Sequence, residues 1–464
     1  MEKRHHKINN ILILWFSQII TIVLNFSVQV ILANNYSIED TGVYFIVIYL
    51  MNLFSTICLF GINNYYIYRN ATENKFNKYE IFNLVKIYLV LNLIFWILFN
   101  VIGIILYPSY KLFILSSSLL MIITSFLAIL SGIYQIRNEI KNISLMQIII
   151  PTIKVSALVF GIFVLNKYLY GYSIFSIALI LTCMIVIYKQ RESIRKYIKL
   201  EENTRELTVY QLLKVLAPYA FLNVFFLLYT QGNTLLLGII SKPESAALFG
   251  IAYLILNTFF IFPTAIFQKV LAHKLIYKMY DNETHFKVII KYLVELLILL
   301  SVFFILIMFL CSSAFIVYVF GETYEKSVTL LNYLILIIPF RLVTILLGNV
   351  LNTDEYIYMR IKVELFITIL NVSLNIILIN FIGIFGVVIA VIITEILLCI
   401  FYLKVIHKLF GVYINKLIFL TLIPLYLVIL LNMNFNIAIV IQILIIIILL
   451  KFIIRRINIL WKQM

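Results

Sequence analysis

Long apolar segments recur along the whole chain, separated by short polar connections. A helix needs about 20 apolar residues to cross a bilayer, and each segment reaches roughly that length without the alternation typical of a half-buried strand. The pattern predicts an all-α, polytopic membrane protein with about 14 transmembrane helices, at 8–33, 42–62, 82–106, 112–134, 144–165, 170–188, 212–240, 247–269, 289–320, 329–351, 362–380, 382–404, 416–432 and 436–454.

The longest break in hydrophobicity, at 189–211, is rich in both basic and acidic residues and is predicted to form a cytoplasmic linker. A weak repeat favours a division there, since Ser37–Ile46 aligns with Lys242–Ile251; chance similarity between two polar turns is the alternative. The predicted domains are two six-helix bundles related by a pseudo-two-fold axis along the membrane normal, followed by a transmembrane hairpin and tail. Their bounds are 1–188 and 212–405 for the bundles, 189–211 for the linker and 406–464 for the hairpin and tail.

Basic residues occupy alternate connections between these segments. Most of the 36 Lys and Arg fall on one side, and the other side carries only Lys111, Lys167, Lys242 and Lys326. Because cytoplasmic loops carry excess Lys and Arg, this pattern predicts that both termini are cytoplasmic. The net charge of +16 is explained in the same way, and no nucleic-acid partner is expected. Hydrophobic residues make up 64% of the chain, too many for a water-soluble globule.

Two cations are predicted near the membrane midplane, Lys154 in the fifth span and Arg341 in the tenth. Each follows a proline that can kink its helix, Pro151 and Pro339 respectively. A charge in the bilayer usually faces a water-filled cavity or a partner, so both are candidate substrate-binding residues. The alternative is a buried ion pair with Glu395 of the twelfth span, a carboxylate that could instead carry a coupling proton.

The motifs of soluble enzymes are missing from the sequence. It has no phosphate loop and no GxGxxG motif, and no catalytic residue, metal site or cofactor is expected. Glu39 and Asp40 in the first outer connection could be catalytic carboxylates, but Ser37 and Asp40 also stand where a helix N-cap is expected, and capping is the better interpretation. Near the cytoplasmic end of the eleventh span, Glu364 is expected to pair with Arg360.

Several short motifs, in their order and spacing, resemble the polysaccharide flippases of the multidrug/oligosaccharidyl-lipid/polysaccharide export superfamily over about residues 8 to 405. The groups are Leu32-Ala33, Gly42-Val43-Tyr44, Gly61 with Arg69, Ala217-Pro218-Tyr219-Ala220, Leu235-Leu236-Leu237-Gly238, Phe249-Gly250-Ile251-Ala252-Tyr253, Gly321 with Tyr324, Asn371 with Asn375, and Gly383 with Gly386. Two positions depart from the family pattern. Asn34 and Asn233 stand where members often have Arg and Asp, which puts any role of those charges in doubt.

The resemblance implies a flippase in the bacterial inner membrane. Its substrate would be an undecaprenyl-diphosphate-linked oligosaccharide, carried from the cytoplasmic to the outer leaflet by alternating access for O-antigen or capsule synthesis. Membrane lipids, a polysaccharide polymerase and chain-length machinery would be its partners. Two alternatives stay open: a multidrug exporter of the same superfamily, which would be expected to have an acidic cavity, and a membrane glycosyltransferase or polysaccharide polymerase, which would need a larger outer loop.

Overall fold

The computed structural model describes residues 2–65, 78–136, 139–164, 168–197, 207–267, 281–353 and 356–413, together with the single positions 275, 279, 419, 422 and 426. The α-helices are α1 Glu2–Asn35, α2 Ile38–Leu59, α3 Lys78–Leu106, α4 Lys111–Ile136, α5 Ile140–Phe163, α6 Tyr168–Tyr197, α7 Val209–Thr230, α8 Gly232–Ile240, α9 Pro243–Ile266, α10 Glu283–Phe320, α11 Lys326–Leu334, α12 Ile338–Val350, α13 Ile357–Ile382 and α14 Ile384–Phe410. Short 3₁₀ turns lie at Pro108–Tyr110, Glu322–Tyr324 and Ile335–Ile337.

The all-helical class predicted from the apolar pattern is confirmed. In the described residues, 11 helical stretches are long and apolar enough to cross a membrane, and Gly171–Ile185 is a shorter apolar helix. These correspond to the first twelve predicted spans, because α7 and α8 share the seventh and α11 and α12 share the tenth. The last two predicted spans, 416–432 and 436–454, lie outside the described ranges apart from three single residues.

Local sequence signals explain where several helices begin. Ser37 caps α2, and its side chain accepts a hydrogen bond from the Asp40 amide. Thr208 and Gln211 form a reciprocal capping box at α7. Pro151, Pro218 and Pro263 lie inside α5, α7 and α9. Helices α2 and α7 therefore start where the sequence supplies a cap, and α5, α7 and α9 tolerate internal prolines as spans in lipid do.

The chain divides into two compact units, Met1–Leu235 and Leu236–Met464. In unit one, α1 packs on α5, α5 on α6, and α2 on both α4 and α3. Helix α7 packs on α2 and α3 of this unit. The sequence places α7 in the C-terminal bundle at 212–405, whereas its packing places it in unit one. The predicted domain bounds and the pseudo-two-fold axis stay predictions.

In unit two, the strongest packing joins α13 to α14, α9 to α11, and both α10 and α14 to α12. Helix α12 is buried along most of its length, whereas α13 leaves much of one face exposed. An exposed apolar face is what a helix in contact with lipid requires. The buried helix α12 carries Arg341, which makes it the element that positions one predicted site residue.

Candidate functional site

Arg341 lies in the first turn of α12, directly after the 3₁₀ turn Ile335–Ile337. The tenth span is thus interrupted close to Pro339, as its sequence predicts. Arg341 is buried, with 6% of its surface exposed. Its guanidinium carbon lies 5.9 Å from the ring centre of Phe260 on α9. The break in the helix therefore places a cation against an aromatic ring in the interior of unit two.

Glu395 of α14 is the charge partner of Arg341. The Nη1 atom of Arg341 donates to the Oε1 atom of Glu395, and the carboxylate is 2% exposed. Its Oε2 atom has no hydrogen-bond partner within the described structure. Taking two charges out of water is costly unless they are paired. The geometry thus corresponds to the ion-pair alternative for Arg341, and ligand binding by this residue stays a prediction.

Lys154 lies in unit one with different neighbours. It is half-buried on α5, and its Nζ atom lies 5.6 Å from the ring centre of Tyr44 and 5.8 Å from that of Tyr172. These distances suit cation–π attraction, which requires a cation within about 6 Å of the ring. Among the described residues, no carboxylate forms an ion pair with Lys154. Lys154 therefore carries a charge that aromatic rings stabilise without neutralising.

The aromatic neighbours of Lys154 form one packed cluster. The Tyr44 ring stacks on Phe113 at 6.0 Å between centres, and Phe113 meets Tyr172 edge to face at 4.8 Å. The Tyr172 hydroxyl donates to the Tyr44 hydroxyl at 3.3 Å. All three residues are at most 1% exposed. The cluster is thus a rigid wall under Lys154, contributed by α2, α4 and α6.

Sequence reasoning missed this wall. Tyr44 belongs to the Gly42-Val43-Tyr44 motif, but nothing in the sequence indicates that its ring contacts Lys154, 110 positions away. One weak signal links Tyr44, Phe113 and Tyr172 in the sequence. Each lies in the first two turns of its helix, at the end predicted to be the outer one. That signal places them at a common depth but does not identify their neighbour.

Two further expectations are confirmed by contacts. The Arg360 Nε atom lies 2.8 Å from Oε1 of Glu364, and the Tyr402 hydroxyl donates to the same oxygen at 2.6 Å. At the start of α2, Asp40 accepts hydrogen bonds from Ser37 and from the Tyr110 hydroxyl. Ser37 thus caps α2, and the Asp40 carboxylate supports this cap and binds Tyr110. In the described residues, no group of three or more His, Cys, Asp or Glu could hold a metal ion.

Comparison with known proteins places this architecture in a class. The chain resembles the structure "Lipid II flippase MurJ, inward closed conformation", with a TM-score of 0.68, 16% identity, and coverage of 97% of this chain and 100% of that one. It also resembles a structure of the MATE multidrug transporter DinF-BH, with a TM-score of 0.63, 15% identity, and coverage of 87% and 95%. At these identities the likeness establishes the fold. No curated protein sequence matches significantly.

The fold is therefore that of the multidrug/oligosaccharidyl-lipid/polysaccharide export superfamily, a class of multi-pass membrane proteins. Within it, the family model "Polysaccharide biosynthesis protein" matches residues 8–272, more than half of the chain. The chain belongs to that polysaccharide biosynthesis family.

Proposed function

We propose that this protein is a flippase that moves an undecaprenyl-diphosphate-linked oligosaccharide from the cytoplasmic to the outer leaflet by alternating access. Membership of the polysaccharide biosynthesis family and the superfamily fold support transport of a glycan precursor. The observation that carries the proposal is Lys154, a half-buried cation without a described carboxylate partner. An anionic headgroup crossing an apolar protein needs such a charge.

The two candidate cations have different roles in this proposal. Lys154 contacts the diphosphate as a point charge, because its ammonium is held by rings and not neutralised. Arg341 is already neutralised by Glu395, so it can contact a phosphate only if that pair opens. Lys154 is therefore the residue that we assign to the first contact with the headgroup, and the Arg341–Glu395 pair contributes structure or coupling.

The membrane potential favours the proposed direction. With the cell interior negative, outward movement of two uncompensated negative charges releases roughly 4 to 5 kcal/mol per 100 mV, at about 2.3 kcal/mol per charge. A lipid-linked diphosphate carries such charge, whereas a cationic drug would move against the same field. The field therefore favours outward movement of the glycan lipid when no compensating cation travels with it.

The proposal is tested by flipping of a fluorescent undecaprenyl-diphosphate glycan in proteoliposomes. The Lys154→Met variant keeps an unbranched side chain and removes the charge. We expect its flipping rate to fall at least about tenfold, the equivalent of about 1.4 kcal/mol. The melting temperature should fall only slightly, because the variant loses two cation–π contacts but no described ion pair. Lys111→Met, at an exposed site at the beginning of α4, is the matched control.

Three outcomes would contradict the proposal. Undiminished flipping by Lys154→Met would remove the role of this cation. Transport of a cationic dye without glycan flipping would favour the multidrug alternative. The structural likeness to a MATE multidrug transporter is the reason to test it. Transfer of sugar between lipid carriers would favour the glycosyltransferase alternative.

A further inference from the structure

A cavity of about 720 Å³ opens between α1 and α5 in unit one. Its walls are mostly apolar, with Ile13, Phe16 and Ile19 on α1 and Leu145 and Ile148 on α5. The first and fifth spans of an alternating bundle run in the same direction. The cavity is therefore a groove between two parallel helices, and Lys141 is the first α5 residue that lines it.

Polar contacts beside the groove hold the two helices together. The Ser17 hydroxyl donates to Oε1 of Gln147 at 3.2 Å, and Oγ1 of Thr21 lies 2.7 Å from the main-chain oxygen of Gln147. Hydrogen bonds between helices resist separation in an apolar surrounding. The groove is thus a fixed feature of the α1–α5 contact.

Along α5, the groove changes from charged to polar to apolar. Lys141 is exposed at its entrance and makes no ion pair with a described carboxylate. One turn further, Ser144 is 4% exposed, and its hydroxyl has no hydrogen-bond partner among the described residues. Leu145 and Ile148 follow. An unsatisfied buried hydroxyl costs about 1–3 kcal/mol, so a rotation of the Ser144 side chain that brings its hydroxyl to a ligand oxygen in the groove would be favoured.

The beginning of α5 adds to the attraction for an anion. The N-cap residue Glu139 makes no capping hydrogen bond with its side chain, which instead accepts a hydrogen bond from the Asn142 amide group at 2.6 Å. The amides of Asn142 and Ile143 already donate to the Glu139 carbonyl. The helix dipole and the remaining first-turn amides favour a negative group beside Lys141, against the opposing charge of the Glu139 carboxylate. The distance from Lys141 to Ile148 is about 10 Å at 1.5 Å per residue. That length lies within a single leaflet of a hydrocarbon core about 30 Å thick.

We propose that this groove binds one anionic glycerophospholipid from the leaflet at the Lys141 end. The phosphate lies against Lys141 and the first turn of α5. An ester carbonyl oxygen accepts a hydrogen bond from Ser144, and the acyl chain lies along Phe16, Leu145 and Ile148. The order of charge, hydroxyl and apolar wall matches the order of phosphate, ester and chain in such a lipid. A polyprenyl phosphate lacks the ester carbonyl, so the groove favours the glycerolipid. This binding site does not depend on the flippase proposal.

The experiment is native mass spectrometry of the purified full-length protein, titrated with defined lipids. Wild type should retain phosphatidylglycerol in preference to phosphatidylcholine, and Lys141→Gln should reduce that preference about fivefold, as expected for about 1 kcal/mol per lysine. Lys111→Gln is the matched control, since Lys111 is also exposed but lies outside the groove. It should leave the preference unchanged.

Ser144 is tested separately with ester-linked and ether-linked phosphatidylglycerol. Wild type should bind the ester lipid several-fold more tightly, and Ser144→Ala should abolish this difference. A Leu145→Trp substitution, which fills the groove, should displace both lipids. Equal retention of anionic and zwitterionic lipids by wild type would overturn the proposal, as would an unchanged preference in Lys141→Gln. Tighter binding of undecaprenyl phosphate than of phosphatidylglycerol would also overturn it, because the occupant would then be the polyprenyl lipid.

Discussion

Arg341 and Glu395 neutralise each other in the interior of unit two, where both side chains are almost fully buried. A buried pair is often no more stabilising than a well-packed apolar pair. Loss of one partner is different, because the remaining charge stays buried and unpaired. The pair is therefore a stability constraint on the helix break at Pro339, whatever else it does.

We predict that Glu395→Gln lowers the free energy of unfolding by about 3–5 kcal/mol, the cost of leaving a buried charge unpaired. The double variant Arg341→Met/Glu395→Leu should recover most of this loss. Unfolding in mixed detergent micelles, followed by circular dichroism, measures both. Additive losses in the double variant would mean that the two residues do not act as a pair.

The wall under Lys154 allows a second test at a single residue. Tyr44→Phe keeps the ring and removes one hydroxyl, so it should cost about 1 kcal/mol. Tyr44→Leu also removes the contacts of the ring with Phe113 and Tyr172, and it should cost roughly 3 kcal/mol or more. Thermal unfolding of the two variants checks the order. If Tyr44→Phe and Tyr44→Leu lowered the free energy of unfolding equally, the stabilisation would come from the hydroxyl and not from the ring.

At the scale of helices, close approach depends on particular glycines. Gly383 has a positive φ of 61°, which favours glycine at the turn between α13 and α14. Gly386 has a different reason, since a Cβ atom there would overlap the main-chain carbonyl of Leu378 on α13. In the sequence, both positions stand out only as part of a family motif. The tertiary structure shows that Gly383 is needed for its backbone conformation, whereas Gly386 is needed because a side chain would not fit there.

Gly386→Ala should therefore separate α13 from α14 and lower the free energy of unfolding by about 1–3 kcal/mol, in the range for overpacked sites. Gly232→Ala is the matched control, because a Cβ atom at Gly232 meets nothing within 4 Å. Melting temperatures of the two variants provide the measurement. Equal stability of Gly386→Ala and wild type would show that the hairpin relaxes without cost.

At the scale of the molecule, the distribution of basic residues predicts the orientation of every span. Both termini and the segment before α10 should be cytoplasmic, and the turn before α4 should lie outside. Orientation follows from charge in the loops and does not depend on the packing inside either unit. The orientation of the spans can therefore be tested without any knowledge of the site.

We expect Ser109→Cys to react with a membrane-impermeant maleimide on intact cells, and Asp281→Cys to react only after lysis. Both positions are exposed, and the 4 native cysteines would first be replaced. Mass-tag labelling visible on a gel provides the readout. Labelling of Asp281→Cys on intact cells would reverse the predicted orientation.

The sequence alone determined the helical class and the membrane-spanning character of the chain, and it predicted a depth near the midplane for Lys154 and Arg341. These follow from composition along one dimension, because a helix in lipid must satisfy its own backbone and present apolar side chains. Only the tertiary structure decided which neighbour each charge meets. Arg341 and Glu395 lie on different helices 54 residues apart, and the rings around Lys154 come from three other helices. Hydropathy reports how deep a residue lies, whereas packing between helices decides the direction in which its side chain points.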